Sequence, residues 1–479
     1  MTNVKVVIAK QKTITKGQGI SMNILQQVIE QFINDICNIN ILETGLSQSL
    51  ETLQARANRF GLDVLRSEIE ALDQTLVESP GLRPGWQVHK KVRRTQETLA
   101  GTLEYMRRYY VNPHTNERAY LLDILIGVEK HERIDRGLKA ALCNQSVHHS
   151  YQMSASLCCE NRLSKQSVMR VLQEVTVPRA EAKEYRSDAK IIHIQADEDH
   201  VSMQDHRRGK EVKLAVIHEP SCRMGKKGYL PEKHHQFSYK ETTEDFWQRV
   251  TTSIYERYAL GDGLKVYLHG DGASWIQTGL SWLENSVFVL DKFHAWKALK
   301  QLAPTDSLEY LELRASLLDA DKKEFKRLVK ICAEKYAKDP ERVEQVKGYI
   351  LNNWKGIEIW SQDPLSGGTC AEGLVSHCLS ERLSMRPMAW LDDGLERMTQ
   401  LREHHFNGGK IRWCDFNSEK KHAKKMDEIE KSVKLEELKK ADQLQKDAID
   451  VLPNRQFDFP KRDARYRLFK RISEGGIAI

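Results

Sequence analysis

Between residues 22 and 76 apolar side chains recur at helical spacing (Ile24, Leu25, Val28, Ile29, Phe32, Ile33, Ile36), and no proline interrupts them. That pattern predicts a helical N-terminal region over residues 1–80. The segment Ser79–Trp86, SPGLRPGW, breaks the periodicity with two prolines and two glycines and reads as a linker. In TLEYMRRYYVNPHTNERAYLLD, residues 102–123, two β-prone runs flank the turn signal Asn112-Pro113-His114-Thr115-Asn116, predicting a β-hairpin rich in Arg and Tyr. Helical spacing returns from 128 to 176. A short helix around Tyr151–Cys159 precedes a turn, and Ser164 is placed to cap a second helix over Lys165–Val175. Val168, Val171 and Leu172 then face inward, leaving Lys165, Gln166, Ser167 and Arg170 exposed near its start. A recognition helix presents side chains to a major groove in this way, although the pattern equally suits a plain two-helix hairpin.

The texture changes between 190 and 295. IIHIQAD, KLAVIHE, HHQFSYK, LKVYLHGDG and SVFVLD are short strand-like runs, whereas EDFWQRVTTSIYERYAL and ASWIQTGLSWLE carry helical periodicity. Such alternation predicts an α/β fold, a mixed sheet with flanking helices. Residues 296–365 are helical and charged without a strand candidate, and 371–383 read as one helix. The highly charged run 417–450 reads as a solvated helix or a basic arm.

Composition narrows the class. The chain has 479 residues, 40% hydrophobic and 29% charged, which fits an ordinary soluble protein of two or three domains. No run reaches the roughly 18 apolar residues of a membrane span, and MTNVKVVIAKQKTITKG has no apolar core of a secretory signal. Nine cysteines without a CxxC pair indicate reduced thiols in a cytoplasmic protein. Seventeen histidines include the pairs His234–His235 and His404–His405, but no Cys/His set has zinc-finger spacing. The net charge of +7 suits a phosphate-bearing partner, as it also suits enzymes that touch no nucleic acid.

Two carboxylates end apolar runs: Asp197 after Ile191–Ala196, and Asp271 after Val266–Gly270. Ligands collect at the carboxyl ends of strands in α/β sheets, and hard divalent ions take oxygen donors. Two such ions roughly 3.5 to 4 Å apart can act on the attacking and leaving oxygens of a phosphodiester. Aspartate also serves as a strand terminator or helix cap. Gly270 and Gly272 around Asp271 leave room for a substrate backbone to approach. Alternation along the strand turns Glu198 away from Asp197 and leaves Asp199 as its competitor.

ADEDHVS (196–202), VYLHGDGASWI (266–276), LDKFHAWK (290–297) and CAEGLVSHCLSERLSMRPMAW (370–390) occur in this order, and the chain resembles the DDE transposases of ISLre-type insertion sequences from about residue 85 to 410. The resemblance implies an RNase H-like catalytic core in which Asp197, Asp271 and Glu372 hold two divalent ions, Mg2+ or Mn2+. It also implies a helical insertion between the second and third acids. Asp291 and His294 match the C/D-x-x-H signature of transposases with such insertions. They would support the metal carboxylates or contact DNA; alternatively Asp291 is a helix cap and His294 a structural donor. The expected organisation is a helical region 1–80, a hairpin and helix-turn-helix-like DNA-binding region 85–180, core segments 188–298 and 369–412 around an insertion 299–368, and a charged helical tail 413–479. The expected function is cleavage and joining of DNA at insertion-sequence ends, with Ser164, Lys165, Gln166 and Arg170 helping to recognise terminal inverted repeats. A nucleoid-associated, cytoplasmic homo-oligomer on DNA follows from that reading. Its rivals are a silent DNA-binding regulator or relic and a nuclease that only hydrolyses.

Overall fold

All five strand-like runs between 190 and 295 enter one sheet in the computed structural model, which describes residues 22–178, 187–205, 209–224, 227–258, 263–336, 339–368, 370–385 and 388–416. The charged run 417–450 lies outside the described residues. The chain divides into two compact units, one of residues up to Val175 joined by Ile411–Phe416, the other of Thr176–Lys410 with the remaining tail.

In the first unit, helices α1 (Met22–Cys37) and α2 (Ile41–Glu78) lead into strands β1 (Gln87–Thr98), β2 (Gly101–Val111) and β3 (Arg118–Ala119). Asn40 starts α2 by accepting the Leu42 N–H, the role of an N-cap side chain. Ile69 and Leu76 of α2 pack with Trp86, Leu103, Tyr105 and Tyr110 in one core. The buried Asp73 carboxylate fastens α2 to the hairpin through the Arg108 backbone N–H (3.1 Å) and guanidinium (2.7 Å). The region 1–80 and the hairpin thus share one core.

The hairpin itself differs from the expected one. Its turn is Leu99-Ala100, with Thr98 opposite Gly101, and Gly101 adopts φ +133°, where a side chain would be strained. The Asn112–Asn116 turn joins β2 only to the two-residue β3, and LLDILI forms a helix, α3 (Leu121–Ile126). Helices α4 (Arg136–Ser146), α5 (Tyr151–Cys159) and α6 (Lys165–Glu174) follow, capped by Asp135, Ser150 and Ser164. Val168, Val171 and Leu172 of α6 are buried, while Lys165, Gln166 and Arg170 are exposed. The Asn144 carboxamide on α4 holds Ile411 by both its N–H and its C=O, each at 2.9 Å.

The second unit is built on β4 (Ile191–Val201), β5 (Lys210–His218), β8 (His234–Ser238), β9 (Lys265–Gly270) and β10 (Ser286–Leu290). A short ribbon, β6 (Cys222–Met224) with β7 (Lys227–Tyr229), was not legible in the sequence pattern. Across the sheet the order is β10-β9-β4-β5-β8, with β4, β5 and β8 antiparallel and β9 and β10 parallel to β4. In order of appearance the strands therefore run 5-4-1-2-3. Helix α7 (Thr243–Arg257) covers one face, packing Phe246, Trp247 and Val250 on Ile192, Ile194, Ala196 and Leu268. The opposite face carries buried His193, Gln195, His218 and His269. Beyond Asp271 come α8 (Ser274–Thr278) and, after β10, α9 (Lys292–Leu299).

The helical stretch holds α10 (Leu308–Leu318), α11 (Lys322–Tyr336), α12 (Pro340–Asn352) and α13 (Trp354–Gln362), which share a core of Leu313, Phe325, Leu328, Ile350 and Trp354 with α9. Residues 371–383 form one helical run, α14 (Ala371–Val375) and α15 (Glu381–Leu383), with a π-turn at Ser376–Ser380 between them. Helix α16 (Asp392–Phe406) lies along β8 and sends Glu403 to the Phe237 N–H and the Arg249 guanidinium. No helix among the described residues is long and apolar enough to cross a membrane. All nine cysteines are free thiols.

Edge strand β10 is held by close approach of α13. A Cβ on Gly356 would stand 2.7 Å from the Phe288 ring and 2.9 Å from the Leu290 backbone nitrogen. Gly356→Ala should therefore destabilise this unit by about 1–3 kcal/mol, the range for overpacking, read as a lowered urea midpoint. An unchanged midpoint would show that this contact does not fix the edge.

Candidate functional site

Parallel register sets three aspartates level. Gln195 on β4 pairs with His269 on β9, and Leu290 on β10 pairs with Gly270. The next residues in this row are Asp197, Asp271 and Asp291: Asp271 and Asp291 lie one past their strands, whereas Asp197 lies inside β4, which runs on to Val201 paired with β5, just beyond the end of its pairing with β9. The Asp291 N–H donates to the Gly270 C=O at 2.8 Å, closing this row.

Asp197 is the most enclosed of the expected metal carboxylates, 7% exposed. Burial pushes its carboxyl up to about 6, and the nearby charges of Asp271 and Glu372 push the same way. The Glu198 N–H, donating at 2.8 Å, and His294 oppose that rise. The competitor Asp199 accepts the Ser384 hydroxyl at 2.8 Å, and Glu198 accepts the Trp275 indole N–H. Each is engaged by another element.

Asp271 is half-buried; its Oδ1 accepts the Ala273 N–H at 2.8 Å, and its backbone oxygen accepts the Tyr349 hydroxyl at 2.8 Å. The flanking glycines do not leave room for a substrate, as their sequence position had implied. A Cβ on Gly270 would meet Ile276 at 2.8 Å and the Ala196 carbonyl oxygen at 3.0 Å, while Gly272, at φ +92°, has the Asn353 carboxamide where its Cβ would be. Protein fills both spaces, so the glycines permit a tight turn packed against α12 and α8.

Asp291 is the helix cap that was one of its two expected roles. One oxygen accepts the Phe293 N–H at 2.7 Å, capping α9, and the other lies 3.5 Å from His294 Nδ1. Burial pulls the His294 pKa down, but the Asp291 contact and the charges of Asp197 and Asp271 outweigh it, so the net shift is upward. Across the cleft, exposed Glu372 occupies the first turn of α14. Asp197, His294 and Glu372 each offer a donor atom, all within 4.8 Å of one another. Asp271 stands outside that mutual set but within electrostatic reach of Asp197 and His294. Two oxygens and an imidazole nitrogen are donors that suit Mg2+ or, given the nitrogen, Mn2+.

Sequence reasoning missed three supports. Gln195, two residues before Asp197, accepts the Cys370 N–H at 3.2 Å and so anchors the start of the Glu372 helix. Tyr349 and Asn353 come from the helical stretch and carry no local signal of the contacts they make with the Asp271 turn. The helix assigned to DNA recognition forms as expected: Ser164 Oγ accepts the Ser167 N–H at 3.2 Å.

A buried carboxyl with a raised pKa weakens the fold when ionised. The folded chain holds this proton more tightly than an unfolded one, whose carboxyl keeps the ordinary value of 3.8, so stability declines as pH climbs from about 4 through about 6. Asp197→Asn should thus be stabilised at pH 8 by up to about 3 kcal/mol and gain nothing at pH 4. Chemical denaturation at both pH values checks this, and an equal effect at both would remove the ionisation from the account.

The family model of UPF0236, an uncharacterised protein family, matches residues 36–421. A UPF0236 protein of Caldanaerobacter subterraneus subsp. tengcongensis is 32% identical over 407 residues, covering 83% of this chain and 86% of its own. A second protein of that organism is 32% identical over 406 residues, covering 84% and 86%. The "UPF0236 protein in vanSb 3′ region" of Streptococcus gallolyticus is 23% identical over 390 residues, covering 77% and 85%. The chain therefore belongs to the uncharacterised family UPF0236.

Proposed function

We propose that this chain is a DNA transposase that cuts and joins phosphodiester bonds with divalent ions held by Asp197, Asp271 and Glu372, with His294 as a further donor. The observation that carries the reading is the gathering of Asp197 and Glu372 with His294 within 4.8 Å of one another, with Asp271 in electrostatic reach of Asp197. The strand order 5-4-1-2-3, antiparallel across the first three strands and parallel across the last two, supports an RNase H-like core. The helices between Asp271 and Glu372 stand where the resembling transposases carry an insertion. One Caldanaerobacter relative's name joins eleven designations, as a sequence copied within a genome would give.

Each residue has a distinct task. Asp197 loses its proton near pH 6 and is an anion at neutral pH. The Ala273 N–H orients the Asp271 carboxylate, and Tyr349 pins its backbone. Asp291 faces Nδ1 of His294, which leaves the other ring nitrogen for the donor set, as carboxylate–histidine pairs do at metal centres. Gln195 brings the Glu372 helix to the strand ends. Bound divalent ions would supply Lewis acidity toward the phosphate and its nucleophile. Water and then a 3′-hydroxyl would be the successive nucleophiles, and the α6 side chains Lys165, Gln166 and Arg170 would contact the element ends. Holding two ends at once calls for at least a dimer.

Labelled element-end DNA incubated with the protein and Mg2+ or Mn2+ tests the reading. Nicked and joined products are expected from the wild type, and background levels from Asp271→Ala and Glu372→Gln. Equal product from wild type and Asp271→Ala would overturn it. Nicking without joining would assign a nuclease, and binding without metal-dependent nicking a regulator. Tyr349→Phe should retain the products at a rate lowered about 10-fold, the lower end of the loss for outer supports of a metal centre.

A further inference from the structure

The first unit encloses a cavity of about 1230 Å3 between the β1–β2 hairpin, the stretch 118–134 and helix α6. Its lining carries eight lysines and arginines against four carboxylates. Two of the cations, Arg94 and Arg107, are buried and share a single carboxylate, Asp123. Arg94 is further satisfied by the backbone oxygens of Glu129 and Glu132. Arg107, 8% exposed, has the Tyr120 side chain besides Asp123, and its Nε, like that of Arg94, has no hydrogen-bond partner. A buried guanidinium short of acceptors is costly, and its position on the cavity wall points to an anionic ligand there.

The surroundings of Arg107 narrow the ligand. Its guanidinium carbon lies 3.5 Å from the centre of the Tyr120 ring, and Tyr109 packs against that ring at 4.7 Å. Around the mouth, Arg118, Lys130, Arg133 and Arg170 are exposed and have no carboxylate partner among the described residues. Aromatic rings beside unpaired cations in a concave site are the chemistry that holds unpaired nucleotides: bases stack, and phosphates meet the cations. A duplex carries its phosphates on a convex surface and cannot bring one to a recessed guanidinium. A flexible single strand can.

We propose that this cavity binds a single-stranded stretch of nucleic acid, with a backbone phosphate at Arg107, a base against Tyr109, and Arg118 and Arg170 holding the flanking phosphates. The inference rests on the transposase reading only for the identity of the strand, since the cavity and the acidic centre belong to different units. Arg170, expected on sequence grounds to face a major groove, is here a wall of the strand site.

Fluorescence anisotropy of the full chain in EDTA, with a short labelled oligothymidine and a duplex of equal length, tests it. The single strand should bind about tenfold more tightly than the duplex. Arg118→Gln/Arg170→Gln should weaken strand binding about tenfold and lower its salt slope by about 1.4, the value for two lost phosphate contacts on a single strand. Tyr109→Leu should weaken it about tenfold, the effect of one lost stacking partner, with the slope unchanged. Arg107→Gln should abolish binding, but as it could also unfold the unit, the exposed variants and their circular dichroism carry the decision. Equal affinity for duplex and strand, or wild-type binding by both folded variants, would overturn the proposal. Asp271→Ala must bind the strand as wild type does. A wild type that binds the strand but does not nick would count against the catalytic reading alone, and one that nicks without binding the strand against the cavity alone.

Discussion

The second unit is organised around one electrostatic constraint: several carboxylates converge where at least one is nearly sealed from water. Asp197 feels both the low dielectric of the sheet's lip and the like charges of Asp271 and Glu372. Such an assembly tends to spread apart or to keep its protons. Here it is held by elements that cannot yield easily. The parallel ladder of β4, β9 and β10 fixes the aspartate row, Gln195 ties down the chain before Glu372, and Tyr349 and Asn353 brace the Asp271 turn. The charges of Asp197, Asp271 and Asp291 raise the pKa of His294 in turn. On the proposed reading, divalent ions at this point would offset the cost of bringing the acids together.

The two faces of the sheet divide this labour. Toward α7 the strands present Ile192, Ile194, Ala196 and Leu268, an ordinary apolar layer whose burial drives folding. On the other face sit His193, Gln195, His218 and His269. Burial holds these imidazoles neutral, pushing His193 down to about 4 and His269 well below its ordinary range. Neutral rings can pack and exchange hydrogen bonds, as His193 and His269 do at 3.0 Å, without adding charge beneath the acidic site. A polar but uncharged face also lets the Glu372 helix approach through directional contacts, which fix position better than an apolar layer would.

Much of this was legible in the sequence, for identifiable reasons. Buried aliphatic residues recur along both strands, so Ile191–Ala196 and Val266–Gly270 announced themselves despite His193, Gln195 and His269, and the aspartates that follow them stood out. The hairpin misled because Asn112-Pro113 is a strong turn signal while Leu99-Ala100 is none; the actual turn depends on Gly101 at positive φ and on cross-strand pairing over eleven positions. The run up to Asp123 looked like strand, yet Leu121 and Leu122 are buried in a helix that closes at Gly127 in the left-handed region. Glu372 was visible only through family resemblance, because an exposed glutamate in a first helical turn is also what the helix dipole favours anywhere. Tyr349 and Asn353 could not be found at all, since their role exists only once α12 folds back on a turn some eighty positions earlier.

Charge is distributed unevenly between the two units, and that matters for any polyanion they handle. On the proposed reading, the acidic centre would repel phosphate until cations occupied it, and the cationic cavity of the first unit would supply the affinity for a nucleic acid through counterion release. On the proposed reading, binding and bond-breaking would therefore draw on opposite charges housed in separate units of one chain. The modest net charge of +7 understates this separation. The lining of the cavity alone has four more basic than acidic residues, eight against four, while in the other centre Asp197 feels the charges of Asp271 and Glu372, and His294 those of Asp197, Asp271 and Asp291. An average over the chain erases both fields, which is why net charge could neither support nor exclude a nucleic-acid partner, whereas the local placement of Arg107 and Asp197 bears on it directly.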